Sequence, residues 1–253
     1  MIKVLLSGCN GKMGQVITRI SANFAEIKIV AGIDLNTSIN NPYPVFQNIW
    51  DCNIKTDVII DFSNPNAFEN IVDYAVKNKI PLVMATTGLS QSQKRKLEEI
   101  AKEIPVFFSA NMSLGVNLVI DLVKKAVKVL ENNFDIEIIE KHHNQKIDAP
   151  SGTALAIADA INEASNNNYE YVYDRHSRRK KRSQKEIGIH AVRGGTFVGE
   201  HTVVFAGNDE IIEINHIAMS REIFASGALR AAGYITQKQP GLYNMDNLIS
   251  EIK

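Results

Sequence analysis

The sequence is short of three things. Cysteine occurs twice in 253 residues, at Cys9 and Cys52, so no disulfide framework of the secreted kind can form and no paired spacing offers a zinc site. Charge of one sign is missing as well: 28 Lys and Arg balance 28 Asp and Glu, without the basic excess of a protein that lives on nucleic acid. No apolar run approaches the roughly 20 residues needed to cross a bilayer. The apolar start, Met1 to Leu6, breaks at Ser7-Gly8, too soon for the apolar region of a signal peptide. These absences lead to the expectation of a cytoplasmic globular protein with no nucleic-acid or membrane partner. With 45% hydrophobic residues, the chain carries enough apolar mass for one large domain or two modest ones.

What is present begins as an alternation of β-branched runs and helical patterns. Ile2–Ser7, Lys28–Ile33, Val58–Phe62, Leu82–Ala85 and Val106–Ser109 read as strands. Between them, Met13, Val16, Ile17 and Ile20 recur at helical spacing, as do Phe68, Ile71, Val72, Ala75 and Val76, and Gln91 to Lys102 reads as a third helix. This rhythm predicts an α/β fold with a doubly wound parallel sheet. After Asn111 it changes. Val116–Leu130 and about Thr153–Glu163 are helical, Ile136–Glu140, Ile187–Val192, His201–Ala206 and Ile211–Ile217 are strands, and Gly207-Asn208-Asp209-Glu210 is a hairpin turn. Strands without helices between them predict a second, α+β domain with an antiparallel or mixed sheet. The basic run Arg175 to Arg182 is expected to be a solvated loop, given the neutral whole. Arg221–Ile235 is a last helix, whose small residues suit close packing.

Gly8-Cys9-Asn10-Gly11-Lys12-Met13-Gly14 lies between the first strand and the first helix. A pyrophosphate needs backbone N–H groups at a helix N-terminus, and only glycine lets the backbone come that close. Asp34 follows Gly14 by 20 residues, at the end of the second strand, where a carboxylate can accept from the adenosine ribose hydroxyls. The combination predicts a Rossmann-like dinucleotide site. Asp34 favours NADH, because it repels a 2′-phosphate and Leu35 brings no cation; Lys12 keeps NADPH open. Asp61-Phe62-Ser63 and Thr86-Thr87-Gly88 follow strands at the carboxyl edge of the sheet, where ligands sit.

The densest group of reactive side chains is Glu140-Lys141-His142-His143-Asn144-Gln145-Lys146-Ile147-Asp148-Ala149-Pro150-Ser151-Gly152-Thr153. A helix start at Ser151-Gly152-Thr153 offers N–H groups and hydroxyls to a carboxylate. Lys146 adds positive charge, and the histidines can move protons near neutral pH. Together they read as a pocket for an anion that gains or loses a proton. A metal site is not expected, because adjacent histidines on an extended segment face opposite sides and no acidic cluster stands at ligand spacing.

These motifs, with Asn111-Met112-Ser113-Leu114-Gly115-Val116-Asn117, Arg193-Gly194-Gly195, Gly199-Glu200-His201-Thr202 and Ser220-Arg221, resemble the 4-hydroxy-tetrahydrodipicolinate reductase family in order and over nearly the whole chain. The resemblance implies a Rossmann domain of residues 1–112 plus 223–253, and a substrate-binding and tetramerisation domain of residues 113–222 in a homotetramer. It implies reduction of a small cyclic dicarboxylate by NADH or NADPH in lysine and diaminopimelate synthesis, with hydride delivered to ring C4. By position, His142 and Lys146 match the acid/base and proton donor. His143, Lys146, Ser151, Gly152 and Thr153 match substrate contacts. Gly8, Asn10, Gly11, Lys12, Met13, Gly14, Asp34, Phe62, Ser63, Thr86, Thr87, Gly88, Ser109, Asn111 and Met112 match cofactor contacts. The chain departs from the pattern at Ala85, where the family usually has glycine, and at Met112, where phenylalanine is frequent. Two rivals compete: a non-catalytic NAD-sensing regulator, which needs neither His142 nor Lys146, and another NAD(P)-dependent reductase of amino-acid metabolism, which leaves Lys146 with Ser151-Gly152-Thr153 unexplained.

Overall fold

The computed structural model describes residues 1–251. In chain order the elements are β1 (Ile2–Ser7), α1 (Lys12–Ile20), β2 (Ile27–Ile33), β3 (Val45–Phe46), β4 (Val58–Asp61), α2 (Phe68–Asn78), β5 (Leu82–Met84), α3 (Gln91–Ile100) and β6 (Pro105–Phe108). There follow α4 (Leu114–Leu130), β7 (Asp135–His142), α5 (Gly152–Ala164), β8 (Glu170–Val172), β9 (Glu186–Arg193), β10 (Gly199–Ala206) and β11 (Ile211–Ala218). The chain ends in α6 (Glu222–Ile235), β12 (Gly241–Tyr243) and α7 (Met245–Glu251). No helix among the described residues is long and apolar enough to cross a membrane.

The contacts fall into two units, one of Met1–Leu114 with Arg221 onward, the other of Gly115–Ser220. The first holds a seven-stranded sheet in the order β12-β6-β5-β4-β1-β2-β3, parallel throughout. Its five central strands, β6, β5, β4, β1 and β2, are buried on both faces, which is why they read as near-continuous apolar runs. Val4, Leu6, Ile60, Val83 and Phe107 pack with α1, α6 and α7 on one face; Leu5, Ile59, Leu82 and Val106 pack with α2 and α3 on the other. Strand order reverses between β1 and β4, and the carboxyl ends at such a reversal leave a crevice for a ligand. The sheet agrees with the expected doubly wound fold.

Small residues bring α6 close. A Cβ on Gly227 would stand 1.7 Å from the carbonyl oxygen of Met112, so the helix reaches its seat only with glycine there. Beyond it, β12 adds a parallel edge strand, Leu242 pairing with Val106.

The second unit holds a mixed five-stranded sheet in the order β11-β10-β7-β9-β8. β10 runs antiparallel to β7 and β11, while β9 is parallel to β7 and β8. Ile136, Ile138, Ile187, Ile189, Val203 and Phe205 on one face bury against Val119, Val123 and Val127 of α4 and Ile157 and Ile161 of α5.

Two local expectations change. β7 continues two residues past Glu140, so Glu140 and His142 share a strand and a face. The basic run is only partly solvated. Arg175 bonds Glu186 and Glu137 at 2.8 and 2.9 Å, and Arg182 bonds Asp135 and Glu137 at 2.6 and 2.9 Å. Carboxylates on the sheet draw both guanidinium groups down and leave Arg179 and Lys181 in water.

Candidate functional site

In the first unit, the turn between β1 and α1 is built by close approach. Gly8 has φ +75°, and a Cβ on it would lie 2.6 Å from the carbonyl oxygen of Phe62 at the end of β4. A Cβ on Gly14 would lie 2.1 Å from the Gly8 carbonyl oxygen. The cap residue of α1, Gly11, has no side chain, so N–H groups of the first turn face outward without a side-chain cap. That is the arrangement a phosphate needs.

Asp34 stands at the end of β2. One carboxylate oxygen accepts from Asn10 N–H at 2.9 Å, the other from Asn36 N–H at 3.0 Å. A cavity of about 460 Å³ is lined by Gly8, Gly11, Asp34, Phe62 and Ser63, among others. A second, of about 420 Å³, is lined by Lys12, Met13, Phe62, Ser63, Thr86, Thr87 and Met112, with Ala85 and Arg221. Phe62 and Ser63 belong to both. Of the expected cofactor residues, Asn10, Gly14, Gly88, Ser109 and Asn111 line neither of these two cavities. Asn10 fixes Asp34, Gly88 makes a left-handed turn at φ +77°, and the Ser109 hydroxyl donates to the Asn111 carbonyl at 2.7 Å.

Beneath Ser63 and Thr86 lies Asp61, which is fully buried and accepts from both hydroxyls at 2.6 Å. Burial pushes its carboxyl above the ordinary value, against the pull of these hydroxyl bonds. Residue type alone marks Asp61 as a strand-end carboxylate; its burial is visible only in three dimensions.

In the second unit, the reactive segment joins the end of β7 to α5. His142 Nδ1 lies 2.6 Å from Glu140 Oε2, and its ring meets the His201 ring edge-on, centroids 5.3 Å apart. His142 O accepts from Gly194 N–H, and His143 N–H donates to Phe197 O at 2.9 Å, which seats the segment on the β9–β10 connection. Lys146 Nζ pairs with Asp148 Oδ1 at 2.7 Å, and that bond holds the Asp148 carboxyl below its ordinary value. Ser151 caps α5: its hydroxyl accepts from Ala154 N–H at 3.1 Å and lies 3.0 Å from His201 Nε2. The Ser151 hydroxyl thus links the first turn of α5 to the His201 ring. Gly152 and Thr153 open the helix, and a Cβ on Gly152 would meet nothing within 4 Å. The structure thus brings together His142, Lys146, Ser151, Gly152 and Thr153 on one short stretch.

Three side chains here went unassigned in the sequence: Glu140, Arg193 and His201. Glu140 alternates with Ile136 and Ile138 on one face of β7, the period-two signal that placed it inward. His201 is buried, and burial, then the positive potential of His142, lower its pKa from 6.5 to about 4. Since the folded value lies below the unfolded one, the unfolded chain binds the extra proton first. Stability from this group is complete above pH 6.5 and falls as pH drops toward 4, by about 3 kcal/mol in all. In urea titrations from pH 7 to 5, His201→Gln should flatten that slope; an unchanged slope would mean His201 is not held neutral.

Two family models match the chain. "Dihydrodipicolinate reductase, N-terminus" covers residues 2–112, and "Dihydrodipicolinate reductase, C-terminus" covers residues 115–249. The 4-hydroxy-tetrahydrodipicolinate reductase of Caldanaerobacter subterraneus subsp. tengcongensis is 53% identical over 251 residues, 99% of each chain. That of Clostridium tetani is 50% identical over 250 residues, 99% of this chain and 98% of the relative. A solved structure described as dipicolinate-bound dihydrodipicolinate reductase from Paenisporosarcina sp. TG-14 superposes with a TM-score of 0.82 at 26% identity, covering 96% of this chain and 97% of that one. With both halves matched and half the residues shared along the full length of these relatives, the chain belongs to the dihydrodipicolinate reductase family.

Proposed function

We infer that the chain reduces 4-hydroxy-tetrahydrodipicolinate to tetrahydrodipicolinate, using NADH in preference to NADPH. The observation that carries this reading is the convergence of Lys146, His142 and the N-terminus of α5 on one segment, in a family with a dipicolinate-bound member. Residues 1–112 and 223–253 would then serve as the cofactor domain, and 113–222 as the substrate and tetramerisation domain.

The glycine cradle fits a dinucleotide, because Gly8 and Gly14, where a Cβ would strike the carbonyl oxygens of Phe62 and Gly8, let the turn close tightly enough for the uncapped N–H groups of α1 to meet a pyrophosphate. Gly8, Gly11, Lys12, Met13 and the first turn of α1 hold the pyrophosphate, with Asn10 and Gly14 shaping the turn. Phe62, Ser63, Thr86, Thr87 and Met112 line the nicotinamide side, supported by Gly88, Ser109 and Asn111. When bound, the nicotinamide supplies the hydride that enters ring C4 as water is lost.

The chain's own residues handle charge and protons. The first turn of α5, at Ser151-Gly152-Thr153, grips one carboxylate through N–H groups and the helix dipole. Lys146 exchanges Asp148, which is exposed, for a substrate carboxylate and stabilises the negative charge that appears on the conjugated imine. His142 holds or moves a proton at Nε2, with His143 beside it as a substrate contact.

NADH preference rests on Asp34. Lys12 lines the other cavity and not the one that Asp34 lines, and exposed Leu35 brings no charge. The tetramer is supported by exposed Val192, Ile211, Ile217 and Met219, apolar side chains that a second copy would cover.

The test follows oxidation of NADH and NADPH side by side, with substrate generated in place from pyruvate and aspartate semialdehyde by the preceding synthase. Rapid oxidation is expected. Asp34→Ala should raise KM for NADH about tenfold, the scale of one charged hydrogen bond, and affect NADPH less. No oxidation by a folded protein that binds NADH would end the reductase reading; equal losses for both cofactors would end the ribose assignment.

A further inference from the structure

Glu140 is fully buried on β7, on the same face as His142. A carboxylate out of water is costly unless its lone pairs find donors. Four N–H groups meet this one. Oε2 accepts from His142 Nδ1 at 2.6 Å and Arg193 Nη1 at 2.7 Å; Oε1 accepts from Ser151 N–H at 2.9 Å and Arg193 Nη2 at 2.7 Å. Burial alone would raise the carboxyl, but the bonds from Arg193, His142 and Ser151 outweigh it and hold it below its ordinary value. At neutral pH it is therefore a carboxylate, which accepts and never donates.

We propose that Glu140 is a positioning residue: it fixes the His142 imidazole with a proton on Nδ1, leaves Nε2 as the nitrogen that exchanges a proton with substrate, and ties that setting to the start of α5 through Ser151. The proposal deepens, and rests on, the reading of His142 as acid/base.

The ring nitrogens of histidine are not equivalent, and the partner of one decides the state of the other. With an acceptor at 2.6 Å, Nδ1 must carry its proton in the neutral ring as in the charged one. The opposite tautomer would set two lone pairs against each other. The ring is also seated from its other side. A Cβ on Gly199 would stand 3.0 Å from Nε2, so glycine in β10 gives the imidazole its place. Arg193 neutralises Glu140 and also donates to the Asp148 carbonyl at 2.7 Å, so the same guanidinium braces the loop that carries Lys146. One buried carboxylate thereby sets both the proton carrier and the carboxylate grip. A glutamate that merely anchored Arg193 and the α5 cap would do neither through the ring.

Glu140→Gln separates these roles. The glutamine oxygen is best placed at Oε1, where both partners, Ser151 N–H and Arg193 Nη2, can only donate, whereas His142 at the other position can change tautomer; this turns the amide N–H toward His142 and makes Nδ1 the acceptor. Imidazole ¹⁵N spectra of His142 should show the tautomer reversed. Turnover should fall about 100-fold, within the range of general acid–base catalysis, with KM changed far less. In a His142→Gln background the same substitution should cost nothing further, since it acts through the ring. An unchanged tautomer overturns the proposal, as does an equal cost in both backgrounds. If His142→Gln alone keeps full turnover, the acid/base reading fails; a reversed ring then still supports the clamp, and an unreversed one overturns it. Should Glu140→Gln not fold, Glu140→Asp keeps the charge opposite Arg193 but shortens the reach by a methylene. Mixed tautomers are expected there, and a ring fixed as in the parent overturns the proposal.

Discussion

Lys146→Ala is expected to lower kcat/KM for the dicarboxylate about a thousandfold, through both a higher KM and a lower kcat. The double effect follows from its two tasks, gripping a carboxylate in the ground state and neutralising charge that grows as the ring is reduced. The substitution also strips Asp148 of its partner. Lys146 is what holds that carboxyl low, and without it a negative group remains beside the site to repel a dianion. Steady-state rates with both substrates varied separate the two parts. A higher KM with unchanged kcat would restrict Lys146 to binding, and normal values of both would remove it from the mechanism.

Gly14→Ala should have a comparably large effect by another route. The added methyl would stand 2.1 Å from the Gly8 carbonyl oxygen and 2.5 Å from that of Cys9, backbone atoms that no rotamer change can move. Helix α1 would have to lift from the turn, and its first N–H groups would no longer converge on the pyrophosphate. NADH affinity is expected to fall at least about 100-fold, and stability by about 3 kcal/mol, at the upper end for overpacking. Nucleotide titration and thermal melting measure each. Retained affinity in a stably folded variant would show that the turn binds nothing through its close approach. Gly152 differs in kind: open space surrounds its missing Cβ, so the fold does not demand glycine there.

The sheet of the first unit was legible because strands buried on both faces must be apolar throughout, and the helices between them must keep a period near 3.6. The glycine turn was legible because only one residue type tolerates backbone at such distances. Strands β3, β8 and β12 were not, since two or three residues carry no periodicity and these lack the wholly buried apolar run that marks the equally short β5; Gly241-Leu242-Tyr243 is a strand because Pro105–Phe107 lies beside it. The family motif pointed to the segment from His142 to Thr153. It could not show that Glu140 is buried, that the Ser151 hydroxyl is spent on His201 and the α5 cap, or that Lys146 rests on Asp148. Each of these depends on a partner distant in sequence or on a side-chain choice among several nearby. Arg175 and Arg182 make the same point, because Glu137, which both of them bond, sits on a strand about 40 residues away.

The return of the chain to its first sheet sets a timetable for synthesis. Val4, Leu6, Ile60, Val83 and Phe107 are covered in part by Ala225 to Ile235, which the ribosome makes only after the second unit. About a hundred residues of the other unit intervene. At about 5–20 residues per second, the nascent sheet waits some 5 to 20 seconds with an oily face uncovered. The inserted unit, all of whose strands and helices are contiguous in sequence, can finish first. Newborn chains therefore pass through a stage in which one half is complete and the other is a natural client for a chaperone.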